Sequence, residues 1–217
     1  MFGFTPTQFD GTEIEYTPRE WKSFELPAEY SFLKYMPPVI DQGSEPICVP
    51  SSLSTWLNWK LNSGVNSGKE IDNGFRLREI FKNGRRYEEG NVIPAEDEGM
   101  TYKAALKYLR KEGAESDKGN VKIGYYAVVN SYLHLKSALF MNGPCFGALP
   151  VYNSTYNEFW NPQYGNLEGY HAVALVGYTE KGIILRNSWG RSYGKGGYWE
   201  IPYLDCQKFL EIWTIIS

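Results

Sequence analysis

The chain has 217 residues, 42% of them hydrophobic and 16% aromatic, which predicts a packed globular protein with one sizeable domain or two small lobes. Its formal net charge of −3 offers no basic field to nucleic acid, and no apolar run approaches the roughly 20 residues that a transmembrane helix needs. The three cysteines are too few for a disulfide scaffold, and the first residues lack the basic and apolar regions of a signal peptide. We therefore expect a protein of the cytoplasm or another reducing compartment that binds neither nucleic acid nor membrane.

Residues 1–24 are polar and are interrupted by Pro6, Gly11 and Pro18, which predicts an N-terminal arm outside the regular elements. Two interpretations of this arm remain open: a shortened inhibitory pro-segment, or a brace between two lobes. Residues 25–217 are predicted to form the main domain. Within it, residues from about 40 to 115 carry helical patterns, and residues from about 116 to 217 carry mostly strand patterns.

The hydrophobic periodicity predicts an α+β fold in which the two halves face each other across a cleft. The predicted helices cover residues 48 to about 63, 72–82, 101–112 and 131–142. The predicted strands cover residues 121–129, 145–152, 170–179, 182–188, 197–203 and 210–216.

Cys48 stands at the start of the first predicted helix, two residues before Pro50, which a helix accepts in its first turn. Peptide dipoles and free N–H groups at a helix N-terminus favour a thiolate. This position makes Cys48 a candidate nucleophile. The structural alternative is a small buried residue, which is the interpretation we give to Cys145 and Cys206.

Two apolar strands on either side of the turn at residues 179–182 predict a β-hairpin. The hairpin would bring His171, on its first strand, beside Asn187, at the end of its second. Taken alone, His171 could be a satisfied core histidine and Asn187 a turn residue. Two histidines without clustered cysteines predict no zinc site, and no cofactor is expected.

These residues together supply the parts of a cysteine hydrolase, which needs a thiol of low pKa, a base, a group that orients the base, and oxyanion donors. Cys48 supplies the thiol, and His171 as imidazolium would lower the pKa of that thiol. Asn187 would accept from the second ring N–H, and Trp189 would shield this hydrogen bond from water. The oxyanion donors would be the backbone N–H of Cys48 and the side-chain amide of Gln42, six residues upstream.

The motifs resemble those of papain-family cysteine peptidases from about residue 26 to residue 203. The spacing from Gln42 to Cys48 is similar to that of the family, and Val49 in place of the usual tryptophan resembles its compact bacterial and phage members. The segment that begins at His171 resembles the family's histidine strand. The most specific motif is Asn-Ser-Trp-Gly at residues 187–190.

This resemblance implies a papain-like fold with a helical N-terminal lobe, an antiparallel β-barrel-like C-terminal lobe and the active-site cleft between them. It also implies hydrolysis of peptide bonds in a protein or peptide substrate through a thioester on Cys48. A phage-encoded member would work in the host cytoplasm or the virion. The residues expected to contact substrate are Gly99, Met100, Gly169, Ala172 and Trp189.

Two departures from the family pattern lie next to the nucleophile. Glu45 replaces a cysteine three residues before Cys48, so the usual disulfide cannot form. Pro46 and Ile47 replace the usual Gly-Ser, and we expect them to crowd the cleft wall where the scissile residue lies.

Three further alternatives remain open from the sequence. The thioester could be passed to an amine in acyl or isopeptide transfer, or the chain could be an idle papain-like module that binds peptides or plays a structural role. The acidic residues 96–98 could select basic substrates or form a solvated loop.

Overall fold

A computed structural model of the chain describes residues 3–18, 25–62, 72–89 and 98–216. Its helices are α1 (Cys48–Asn62), α2 (Leu77–Gly84), α3 (Tyr102–Lys111) and α4 (Tyr132–Asn142). Its strands are β1 (Tyr30–Ser31), β2 (Ala114–Ser116), β3 (Gly119–Val121), β4 (Tyr125–Val128), β5 (Cys145–Val151), β6 (Gly169–Tyr178), β7 (Gly182–Arg186), β8 (Tyr198–Pro202) and β9 (Glu211–Ile216). The described residues thus form an α+β fold, with most of the helices before a large antiparallel sheet.

The helical lobe is organised around α1. Leu53, Trp56 and Leu57 are at most 1% exposed, because their spacing places them on the face that packs against the rest of the molecule. Helices α2 and α3 pack on each other and on α1. The short β2–β3 hairpin follows α3.

The second lobe is a seven-stranded antiparallel sheet with the order β4-β9-β5-β6-β7-β8, and β1 pairs with the end of β6. The predicted hairpin is β6–β7, in which Ala174 pairs with Arg186 and Tyr178 with Ile183. Helix α4 packs on β5, β6 and β9. A large apolar cluster fills the space between α4 and the sheet.

Helix α2 begins five residues later than predicted, at residue 77 rather than 72. Asp72 accepts a hydrogen bond from the N–H of Gly74, whose φ of 67° is left-handed and incompatible with a helix. Asn73 is buried and donates side-chain hydrogen bonds to Asn58 and Asn62 of α1. A polar turn that docks onto α1 therefore replaces the predicted first helical turn.

The predicted strand at 121–129 is divided in the structure. Residues 119–121 pair with β2, whereas residues 125–128 pair with β9 at the edge of the large sheet. The helices at 101–112 and 131–142 each begin one residue late because Thr101 and Ser131 are N-caps, and their hydroxyls accept from the N–H groups of Ala104 and His134.

A second apolar cluster joins the two lobes. It contains α1 and α3 residues such as Cys48 and Tyr102, and sheet residues such as Ala148, Ala172 and Trp213. The start of α1 therefore packs directly against β6, where the sequence places the candidate base.

Candidate active site

Cys48 begins α1 and is fully buried. Burial raises the pKa of its thiol to about 11, against the opposing effect of the backbone N–H groups of Ala172 and Gly3. The thiol is thus in contact with the residue that follows His171 on β6. The start of the helix and the histidine strand meet at the sulfur.

His171 lies on β6 and forms a hydrogen bond from Nε2 to Oδ1 of Asn187 at 2.7 Å. Because Asn187 Oδ1 is an acceptor, the neutral ring carries its proton on Nε2, which leaves Nδ1 as the basic nitrogen. Burial lowers the pKa of His171 to about 4, although the bond to Asn187 acts in the opposite direction. Asn187 can therefore set the orientation of the ring.

Two aromatic rings enclose this hydrogen bond. The Trp189 ring stacks on His171 with centroids 4.4 Å apart, and Phe159 meets the imidazole edge-on at 5.8 Å. Phe159 also packs on Trp189 at 4.9 Å. The two rings form a low-dielectric wall that strengthens the bond between His171 and Asn187.

Gln42 lies on a loop that is tied to the asparagine segment. Its backbone N–H donates to the Ser188 carbonyl at 2.9 Å, and its side-chain Oε1 accepts from Ser188 Oγ at 2.5 Å. Its side-chain Nε2 donates to the Glu45 carbonyl at 2.9 Å. These contacts fix the orientation of the amide and leave its second N–H for a ligand.

Glu45 forms a bidentate pair with Arg78 of α2, with distances of 2.7 Å to Nε and 2.6 Å to an Nη. The pair ties the loop of Gln42 to α2, and Arg78 lowers the pKa of the Glu45 carboxyl. Both side chains are substantially exposed, so the pair adds little stability.

The N-terminal arm lies along the candidate cleft. The N–H of Met100 donates to the Gly3 carbonyl and the N–H of Thr5 donates to the Met100 carbonyl, both at 3.1 Å. Phe4 is 5% exposed and belongs to the same apolar cluster as Cys48 and Met100. The arm therefore covers the thiol.

Gly3 is in close contact with the cleft walls. A Cβ added to it would lie 2.1 Å from the Pro46 carbonyl oxygen, and a Cβ added to Gly99 would lie 2.5 Å from the Gly3 carbonyl carbon. Only a residue without a side chain fits this place. The arm therefore passes between the backbone of Pro46 and Gly99 as bare backbone.

Lys103 of α3 holds the arm through ion pairs. Its ammonium lies 2.5 Å from Glu13, 3.1 Å from Asp10 and 2.8 Å from Glu89, and its side chain is only 7% exposed. Burial acts to lower the pKa of Lys103, but the three carboxylates raise it above its ordinary value. Farther along, the N–H of Tyr16 and the carbonyl of residue 14 bond to β4, so the arm binds both lobes.

A sequence model described as "Papain family cysteine protease" matches residues 58–207, which is more than half of the chain. The chain belongs to the papain family of cysteine proteases. The family and the two-lobed fold that the motifs predicted are thereby confirmed.

Relatives of this papain-family chain include "Cathepsin B-like CP2" of Giardia intestinalis, which is 27% identical over 83% of this chain and 68% of its own length. "Gut-specific cysteine proteinase" of Caenorhabditis elegans is 29% identical over 41% of this chain. In that relative and in "Cathepsin B-like CP3" of Giardia intestinalis, the match spans only 29% and 25% of the relative's length.

Solved papain-like structures share this fold. Xylellain, a cysteine protease from Xylella fastidiosa, superposes with a TM-score of 0.80 at 24% identity, over 100% of this chain and 96% of that one. A cysteine protease of Carica candamarcensis, solved in complex with E-64, superposes with a TM-score of 0.66 at 19% identity, over 88% of this chain and 99% of that one.

The residues predicted to contact substrate in this papain-family chain have different neighbours in the structure. Gly99 and Met100 contact the arm, and Ala172 lies against the thiol. Trp189 stacks on His171. Gly169 pairs with Val151 at the start of β6 and is partly exposed, so its contact with substrate remains a prediction.

Several residues and contacts at this papain-like site are not indicated by any pattern in the sequence. Gly3 and Phe4 belong to a polar arm without periodicity. Ser188 was part of a recognised motif, but its bond to Gln42 joins residues 146 positions apart. Such long-range pairings cannot be derived from local patterns.

The prediction for the acidic loop falls mostly outside the described residues. Residues 96 and 97 of the acidic loop lie outside the described residues, and residue 98 is exposed. Within the described ranges, no group of three or more His, Cys, Asp or Glu is arranged to hold a metal ion. None of the helices in the described part combines the length and apolar character that a bilayer crossing requires.

Proposed function

We propose that this protein is a thiol-dependent peptidase that hydrolyses peptide bonds through a thioester on Cys48. The observation that carries the proposal is the meeting of the Cys48 thiol with β6 at Ala172, directly after His171, whose ring is oriented by Asn187. In this proposal Cys48 is the nucleophile, His171 the base and Asn187 the orienting group, each from a different part of the chain.

In this mechanism His171 takes the thiol proton and the thiolate of Cys48 adds to the substrate carbonyl carbon. The imidazolium then gives the proton to the leaving nitrogen as the C–N bond breaks, which releases the amine and leaves a thioester. A water molecule deprotonated by His171 hydrolyses the thioester and restores the thiol. Asn187 would keep the ring in one orientation through both steps.

The oxyanion would be stabilised by the Cys48 backbone N–H and the Gln42 amide. The Ser188 hydroxyl and the Glu45 carbonyl hold the two ends of the Gln42 amide, which supports this assignment because preorganised donors need no reorientation during reaction. The free N–H groups at the start of α1 add a positive potential at the same point.

We further propose that the arm restrains activity and does not serve only as a brace. The group that it presents to the sulfur is the N–H of Gly3, a hydrogen-bond donor and not an electrophilic carbonyl carbon. A segment bound in this way blocks the thiol without being cleaved. Burial of the thiol favours its neutral form, whereas attack needs the thiolate.

We also propose that the protein works where thiols remain reduced. Cys48, Cys145 and Cys206 are free thiols, and the loop before the nucleophile is held by the pair of Glu45 and Arg78. This arrangement needs no disulfide to hold the loop.

The function can be tested on the chain carrying Gly3→Val, in which the new side chain cannot fit against Pro46. We call this protein the open variant. We expect a peptide with an electrophilic epoxide to form one covalent adduct on Cys48, seen by mass spectrometry after digestion, and to abolish turnover of fluorogenic peptides. Cys145 is buried in the core and serves as an internal control. Adducts on Cys145 or Cys206 alone, or turnover that survives Cys48→Ser, would contradict the proposal. Faster product release on addition of a primary amine would instead identify acyl transfer.

A further inference from the structure

Tyr102, the first residue of α3, has a buried hydroxyl that contacts three other elements. Its Oη lies 2.9 Å from Ser52 Oγ of α1. The same oxygen lies 3.2 Å from the carbonyl oxygen of Gly147 on β5 and 3.2 Å from that of Val173 on β6. One hydroxyl group therefore joins the helical lobe to two neighbouring strands of the large sheet.

The two ends of this link lie beside the candidate nucleophile and the candidate base. Ser52 follows Cys48 on α1 by about one helical turn, and Val173 follows His171 on β6 by two residues. The distance between the Cys48 sulfur and the His171 ring depends on how the start of α1 packs against β6. The Tyr102 hydroxyl contacts both of these elements near that point.

The Tyr102 side chain is held on all sides. Its ring packs on Phe4 with centroids 5.5 Å apart and on Phe146 with centroids 6.0 Å apart. Burial raises the pKa of Tyr102 well above its ordinary value, so the hydroxyl keeps its proton and can donate. Ser52 Oγ donates to the carbonyl of Val49, the residue after the nucleophile, at 2.8 Å. The link therefore reaches the first turn of α1.

We propose that Tyr102 is a positioning residue, whose hydroxyl holds β6 against α1 and so sets the distance between the Cys48 thiol and the His171 ring. The inference rests on the proposed peptidase function and adds a residue that acts through these two groups. Proton transfer between sulfur and nitrogen needs the two atoms within hydrogen-bond reach, and a displacement of about 1 Å can lower a rate by about 10². If the hydroxyl only stabilised the fold, its removal would leave kcat of the folded protein unchanged.

The first test compares Tyr102→Phe with Tyr108→Phe, both on the open variant. Tyr108 lies on the same helix and is 6% exposed, and its hydroxyl accepts from Asn83 of α2 within the helical lobe. We expect Tyr102→Phe to lower kcat at least tenfold with KM within about twofold, because the ring remains and only the link to the sheet is lost. Tyr108→Phe should leave both parameters within about twofold.

Thermal unfolding followed by circular dichroism shows whether the two tyrosine variants lose similar stability. A similar loss of Tm in both variants with a loss of kcat in Tyr102→Phe alone would assign the effect to position. A folded Tyr102→Phe protein with unchanged kcat, or the same loss of kcat in both variants, would overturn the inference.

Ser52→Ala removes the other hydroxyl of the link and leaves Tyr102 in place. Ser54→Ala is its matched control, because Ser54 is also buried on α1 and its Oγ donates to the Ser51 carbonyl at 2.7 Å. We expect Ser52→Ala to lower kcat at least about threefold and Ser54→Ala to leave it unchanged. The double variant of Ser52 and Tyr102 should be no slower than Tyr102→Phe alone, because the two hydroxyls act as one link. Losses that multiply, or no loss in Ser52→Ala, would contradict the inference.

The pH dependence of Cys48 alkylation separates this inference from the peptidase proposal. A more distant imidazolium stabilises the thiolate less, so the pH below which alkylation of the open variant slows should rise by about one unit in Tyr102→Phe. Tyr108→Phe should keep the profile of the open variant. If the open variant reacts rapidly at acidic pH and Tyr102→Phe has the same profile, the inference fails and the peptidase proposal stands. If the open variant itself titrates as an ordinary thiol, Cys48 and His171 are not paired, and both fail.

Discussion

Gly3→Val is expected to raise the rate of Cys48 alkylation by iodoacetamide at pH 6 by about 10³ and to raise peptide turnover by a similar factor. The valine Cβ would lie 2.1 Å from the Pro46 carbonyl oxygen, and because that neighbour is backbone it cannot rotate away. The arm must therefore leave the place beside the thiol. The catalytic groups themselves are unchanged.

The size of this effect follows from the contacts that hold the arm near Gly3. Burial of Phe4 contributes about 1.5–3 kcal/mol, and the two backbone hydrogen bonds to Met100 contribute about 1 kcal/mol each. Their sum is about 4 kcal/mol. Because about 1.4 kcal/mol corresponds to a tenfold change in an equilibrium constant, the covered form of the cleft should outnumber the open form by about 10³. The ion pairs of Lys103 would keep the rest of the arm attached.

Gln8→Ala is the matched control, because Gln8 lies on the same arm but its side chain is exposed. Alkylation of the control should stay within about twofold of the unchanged chain. Circular dichroism should show the same helix content in the unchanged chain, in Gly3→Val and in Gln8→Ala. If Gly3→Val is folded and Cys48 is labelled no faster than in the control, the arm does not restrain the thiol.

His171→Ala on the open background should lower kcat by roughly 10⁴ or more, with KM changed only a few-fold. Removing the imidazole takes away the base that activates the thiol and the acid that protonates the leaving nitrogen. Substrate contacts formed by the cleft walls remain, so binding should persist. Steady-state kinetics over a range of substrate concentration separates the two parameters.

His134→Ala provides the control for this change, since His134 is the other of the two histidines and lies on α4. Its turnover should remain within about twofold of the open variant. Equal losses in the two histidine variants, or a His171→Ala protein that retains most of its kcat, would remove His171 from the mechanism.

The sequence was sufficient for the parts of the fold that local patterns encode. The apolar stripe of α1 placed Cys48 at a helix start, and the turn at 179–182 predicted the hairpin that brings His171 to Asn187. Both elements are short-range, so periodicity and turn chemistry are enough to derive them. The family resemblance added the joining of the two lobes, which periodicity alone does not provide.

Features that depend on distant contacts were not predictable from local pattern. The pattern predicts the start of α2 too early, because the docking of Asn73 on Asn58 and Asn62 competes with helix propensity. The arm pairs with Met100, nearly a hundred residues away, through backbone groups that carry no side-chain signal. Gly3 of the arm lies against the backbone of Pro46, whereas crowding of the cleft wall by the side chains of Pro46 and Ile47 stays a prediction.

The most direct test of the proposed mechanism is the rate of Cys48 alkylation as a function of pH in the open variant, with and without His171→Ala. We expect the open variant to react rapidly down to about pH 5, because a thiolate paired with imidazolium persists well below the ordinary thiol pKa of about 8.5. In the His171→Ala protein this acidic limb should disappear, and in the unchanged chain the buried thiol should react slowly throughout. If Cys48 titrates as an ordinary thiol near pH 8.5 whether or not His171 is present, the two residues do not form a catalytic pair and the peptidase mechanism is wrong.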